Sequence, residues 1–149
     1  MRCLSLFLLL SAGLAPAQPR DTVHASKIDL GDAVFEPLLL NGFSKSQGGW
    51  RWTARKFAVS LWRPAGRDTV YLSLDFGFPS ELAQVTSSVT ITAKVNGVVI
   101  GAPQRFSKVG RYQFVAAVPE AALKTQPARV EFELDKGFAS PEGERALTA

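Results

Sequence analysis

From residue 57 to residue 134 the chain repeatedly alternates apolar and polar side chains with a period of two. Val70, Leu72, Leu74 and Phe76 stand against Tyr71, Ser73 and Asp75. Successive side chains of an extended strand point to opposite faces, whereas a helix gathers one face only at spacings of three and four, so this pattern specifies half-buried strands. It returns in Val89, Ile91, Ala93 and Val95, in Tyr112, Phe114, Ala116 and Val118, and in Val130, Phe132 and Leu134. Phe57, Val59 and Leu61 form a fifth strand. Ala25 to Leu30 and Phe35 to Leu40 are weaker candidates, and Pro37, which has no N–H to donate to a ladder, demotes the second at its start.

The breaks between these runs carry turn chemistry. Asn96-Gly97, flanked by Val95 and Val98, suits the two-residue hairpin turn with positive φ at both positions. Further breaks fall at Gly31-Asp32, Gly48-Gly49, Pro64 to Gly66, Gly77 to Pro79, Pro103, Gly110 and Pro127. Only Pro119 to Lys124 reads as helical, for about one turn. Strands of this kind bury their apolar faces most simply as two antiparallel sheets packed face to face. The expected fold is all-β: an antiparallel, jelly-roll-like β-sandwich of about eight strands. Its interior should hold Val59, Leu61, Leu72, Leu74, Val89, Ile91, Phe114, Val130, Phe132 and Leu134.

The 149 residues divide into a signal peptide, 1–17, and a single β-sandwich domain, 18–149. Met1-Arg2 supplies the positive start, Leu4 to Leu14 the apolar stretch, and Ala15-Pro16-Ala17 the small residues before a cut at Gln18. The apolar run is half the roughly twenty residues a bilayer span requires, so the cleaved product is expected to be secreted or periplasmic, without stable membrane insertion. Cys3 precedes the apolar run, which excludes a lipoprotein, and it is the only cysteine, so the exported chain has no thiol. His24, the one histidine, removes multi-histidine zinc sites and most catalytic triads. Without Arg2, sixteen Lys and Arg face thirteen Asp and Glu. That mild, dispersed excess lacks the basic stripe that phosphate neutralisation needs, so no nucleic-acid partner is expected.

Several short motifs resemble one another's counterparts in a known group. Leu30-Gly31-Asp32 through Gly42-Phe43, then Gly49-Trp50-Arg51-Trp52-Thr53 and Ala58-Val59-Ser60-Leu61, are similar to a pattern of bacterial β-jelly-roll modules. Those modules occur as secreted proteins or as accessory domains of membrane glycosyltransferases and cell-surface polysaccharide proteins. Val95-Asn96-Gly97, Gly110-Arg111-Tyr112, Val118-Pro119 and the ending Phe138 to Leu147 extend the likeness over most of the chain. Where these modules carry a glutamate after the Gly-aromatic pair, this chain has Ser44-Lys45-Ser46-Gln47, and the role of that acid is not carried over. The resemblance implies a cell-envelope glycan as ligand.

Trp62, Trp50 and Arg51 are the residues on which such a ligand would rest. Indoles stack on the C–H faces of sugar rings, and Arg bonds the hydroxyls around them. Trp62 lies on the face of its strand opposite Phe57, Val59 and Leu61, shared with Ala58 and Ser60, and is the first choice for an exposed indole. Trp50 and Trp52 share a face with Arg51 opposite, so either both indoles plug the interior while Arg51 pairs with a carboxylate, or they meet solvent. Trp52 reads as part of the fold. Asp29 with Asp32, or Asp75, Glu133 and Asp135, occupy turns or polar strand faces, where solvated and capping roles outweigh glycoside hydrolysis. No contiguous acidic oxygen cluster backs a calcium site at Asp29 to Asp32 or Glu142 to Glu144. No serine has a Gly-x-Ser-x-Gly setting. The expectation is a non-catalytic binding module with no cofactor, no metal and no catalytic residue, its partner a cell-envelope glycan or, alternatively, an envelope protein.

Overall fold

All five alternating segments form antiparallel strands in the computed structural model, which describes residues 25–66 and 68–149. The expected signal segment, Cys3 and His24 lie outside those residues. There are nine strands: β1 (Leu39–Phe43), β2 (Thr53–Leu61), β3 (Val70–Phe78), β4 (Ser88–Val95), β5 (Val98–Ser107), β6 (Gly110–Val118), β7 (Ala128–Leu134), β8 (Phe138–Ser140) and β9 (Gly143–Arg145). One sheet runs β1-β2-β7-β4-β5, the facing sheet is β3-β6, and β8-β9 is a small hairpin. The molecule is an all-β sandwich.

The inward faces meet as the periodicity requires. Nine of the ten residues expected inside are buried, and Leu61, at the end of β2, is half-buried against them. Phe132 is the centre of the layer, stacked on Phe57 with ring centroids 5.1 Å apart and edge-on to Phe114 at 5.8 Å. Such aromatic pairs contribute beyond their buried area. The outward faces are charge-laced, with Lys56 beside Glu133 and Arg129 beside Glu131.

At the β4–β5 hairpin, Asn96 (φ 48°) and Gly97 (φ 82°) both take positive φ. Asn96 also reaches sideways: its amide donates to the carbonyls of Ala122 and Thr125 at 2.8 and 3.0 Å, and its oxygen accepts from the Arg129 N–H at 2.9 Å. One turn residue thus fixes the short 3₁₀ helix Glu120–Leu123 and the start of β7.

Two weaker expectations are corrected. Ala25 to Leu30 is not a strand. Phe35 to Leu40 is split, because Asp32 caps a 3₁₀ helix, Ala33–Leu38, by accepting from the Val34 N–H at 2.9 Å, and β1 begins only at Leu39. Pro37 lies inside that 3₁₀ helix.

The last residues tie the two sheets together. Leu147 C=O accepts from Thr53 N–H at 2.8 Å, Arg51 and Ala149 exchange two backbone bonds of 2.7 and 2.9 Å, and Thr148 bonds to Gly77 of β3. Residues 146–149 therefore lie between the start of β2 and the end of β3.

The strand edges differ in how they are finished. β1 is interrupted by two register shifts, and a Cβ on Gly42 (φ +81°) would lie 2.1 Å from the Lys56 carbonyl oxygen. β5 contains Gly101 (φ 62°) and Pro103, with a register shift beside it. The far edge of β6 is capped where the Gln104 side-chain amide donates to Val115 C=O at 2.7 Å. β3 keeps unbroken register with β6 over all nine residues and contains no Pro and no Lys.

Candidate functional site

Between β3 and the segment Ser26–Leu30 the sandwich opens into a groove of about 1790 Å³. Pockets for small ligands enclose roughly 300–1,000 Å³, so this one has room for a chain segment. Its floor is apolar, formed by the half-buried Ile28, Leu30 and Leu61 over the buried Phe57, Val59, Val130 and Phe132. Its banks carry both signs of charge, with Lys27 and Asp29 on one side and Asp75 and Arg111 on the other.

Both candidate indoles line this groove, at opposite ends of β2. Twelve residues separate them, which at roughly 3.3 Å per residue is about 30–40 Å of extended chain. Trp50 follows Gly48 (φ 78°) and Gly49 (φ 108°), precedes β2 and is 38% exposed. Its position outside the strand is why it does not follow Trp52 inward. The two rings meet edge-on at 5.5 Å, and Trp52 continues inward to Phe138 at 5.6 Å, with the Arg145 guanidinium 5.0 Å from its ring centroid. Trp52 is buried, as its reading as part of the fold required.

Trp62 is half-buried, and its backbone N–H donates to Ala25 C=O at 2.8 Å. β2 ends at Leu61 and the alternation ends with it. Trp62, one residue past the strand, lines the groove together with Leu61.

Arg51, expected among the ligand contacts, is 1% exposed. Its Nε donates to Leu30 C=O, one terminal nitrogen to Ser44 C=O at 3.0 Å, and the other to Glu36. A guanidinium can be buried only when its donors are satisfied, and here three separate segments satisfy them. Arg51 holds the loops on either side of the groove's Trp50 end in place and presents no face to a ligand. Close backbone packing completes that end: a Cβ on Gly31 would lie 2.1 Å from the carbonyl carbon of Gly49.

The edge of β3 is the feature that sequence reasoning missed. Gly77 turns both its N–H and its C=O away from β6 to bond Thr148. Alternate residues of a strand direct these groups to the same side, so Tyr71, Ser73 and Asp75 direct theirs into the groove. Among the described residues none of the three has a backbone partner there. Tyr71, 64% exposed, adds a further aromatic to the lining. The alternation of 70–76 marked Tyr71 as outward, but nothing local to it told that its strand would be an edge.

The acids are engaged in local structure. Asp29 accepts from Gly31 N–H at 2.9 Å, Asp32 caps the 3₁₀ helix, Asp75 accepts from the Gln113 amide at 2.8 Å, and Glu144 and Glu142 pair with Arg55 and Arg145. Among the described residues no three His, Cys, Asp or Glu side chains gather as a metal site. No described helix is long and apolar enough to cross a membrane. At the foot of the groove, Arg63 makes two hydrogen bonds of 2.7 and 2.6 Å to Glu120, which raise the guanidinium pKa and hold the Glu120 carboxyl below the usual carboxylate range.

The chain matches no family model, no curated protein and no solved structure.

Proposed function

We propose that this chain is a secreted or periplasmic, non-catalytic binding module and that the groove beside β3 is its site. The observation that carries the reading is that Trp50 and Trp62 open into one concave groove with polar banks, where a flat apolar patch would have pointed to simple surface coverage. A cell-envelope glycan, the ligand implied by the Arg-Trp-Thr resemblance, suits two indoles spaced along a groove, with Trp62 and Trp50 as stacking platforms and Arg51 positioning the loops. The protein-interaction alternative has its own support in the edge of β3, which no described residue pairs over Tyr71 to Asp75.

Tryptophan fluorescence during titration with soluble envelope oligosaccharides tests the glycan reading. Trp50→Ala should abolish the response with the melting temperature nearly unchanged, and Trp62→Ala should abolish it with a modest loss of stability from its half-buried ring. Trp52→Ala should lower the melting temperature by several degrees and leave the affinity of the remaining folded protein intact. An unaltered titration in both Trp50→Ala and Trp62→Ala would refute the role of the indoles.

A further inference from the structure

We infer that the groove is a strand acceptor: an extended segment of another polypeptide, alternating apolar and polar residues, adds to β3 antiparallel to it. The inference rests on the groove being the binding site and takes the polypeptide as its ligand.

A long, flat strand edge is a liability that proteins remove with bulges, prolines, lysines or a covering element. Here three edges are treated in that way, through the shifts and Gly42 of β1, Gly101 and Pro103 of β5, and the Gln104 cap on β6. β3 has none of these devices over Val70–Phe76. Its N–H and C=O groups that have no backbone partner among the described residues recur at Tyr71, Ser73 and Asp75, the every-second-residue spacing that an antiparallel strand bonds.

The beginning of such pairing is already present. Thr148 occupies the position of the added strand opposite Gly77, with both backbone bonds made, and Ala149 stands next in line. A segment continuing that line would meet Asp75, Ser73 and Tyr71 in turn. Its residues opposite those three would face solvent, as Thr148 does beside Gly77. The residues between would turn inward toward the half-buried Ile28, Leu30 and Leu61, as Leu147 already does at the closed end. That geometry selects apolar side chains at alternate positions. The segment Gln18 to His24 of this chain does not meet the requirement, because it contains Pro19 and a single aliphatic residue, Val23.

The test uses the full chain and a synthetic peptide of alternating Thr and Val. Amide hydrogen exchange should slow at least tenfold at Tyr71, Ser73 and Asp75 on adding the peptide, and remain unchanged at Leu72 and Leu74, whose amides face β6. N-methylation of the Thr residues, whose N–H groups face β3, should abolish binding, and N-methylation of the Val residues should not. Binding that ignores the position of N-methylation, or that leaves the three amides unprotected, would overturn the inference. So would protection of those amides in the free chain, which would mean that a second copy or the chain itself fills the edge. A response to oligosaccharide with none to peptide would overturn the inference and keep the groove as a glycan site; no response to either would overturn both.

Discussion

Gly77 and Thr148, seventy-one positions apart, exchange two backbone hydrogen bonds of 2.7 and 3.2 Å and thereby join β3 to the segment that also pairs with the start of β2. The approach is close enough that a Cβ on Gly77 would lie 2.3 Å from the Thr148 hydroxyl. This contact closes one end of the sandwich and leaves the groove open beyond it.

Leu147, fully buried beside that contact, anchors the closing segment. Leu147→Ala should cost about 2–5 kcal/mol, the range for deleting a buried leucine side chain. A fall in the urea midpoint at unchanged slope is the expected result.

Phe114 and Phe132 should behave as a coupled pair. Each alanine substitution should cost about 3–5 kcal/mol. Because their rings meet edge-on at 5.8 Å, the double variant should deviate from additivity by roughly 0.5–1.5 kcal/mol. A single substitution tolerated within about 1 kcal/mol would show that the ring does not fill the core as described.

Arg51→Lys keeps the charge and loses the planar fork that reaches Leu30, Ser44 and Glu36 together. Loss of a charge-assisted hydrogen bond should lower stability by about 1.5–3 kcal/mol. The loops beside Trp50 should loosen, which red-shifted tryptophan emission would register. If stability falls without that shift, Arg51 does not position Trp50.

The Arg63–Glu120 pair makes stability fall on the acid side. The two hydrogen bonds from Arg63 depress the Glu120 pKa in the folded state, so the folded chain binds this proton less readily than the unfolded chain. Its contribution is present above the ordinary carboxylate range and is lost as the pH falls through the folded value. Glu120→Gln should therefore flatten the acid limb of a melting-temperature profile and leave the shape at neutral pH unchanged.

The strands and the core were legible because a period of two depends only on neighbouring residues: Leu72, Leu74, Phe114 and Phe132 are buried where the alternation places them. At residue 50 and residue 62 the strand has not begun or has ended, so alternation could not assign Trp50 and Trp62. Arg51 was expected to touch a ligand or to pair with a carboxylate. It does pair with Glu36, but from inside the protein, where carbonyls of two other segments complete its partners. The open edge of β3 was illegible for a related reason, since whether a strand lies at an edge depends on segments far away in the chain.

The register of β2 with β7, which sets Val59 against Val130, has a kinetic consequence. The strand at the middle of the groove floor has to find a partner some seventy residues away, and its other end a partner at Leu147 more distant still. Closing such long loops costs entropy before any contact returns it, which places sandwich folds of this kind among those that take milliseconds to seconds. During that interval the local hairpins, β4–β5 foremost, form early while the apolar ridge of β3 stands uncovered. A freshly synthesised chain is therefore most prone to join a neighbour along the same edge that no described residue pairs in the folded state.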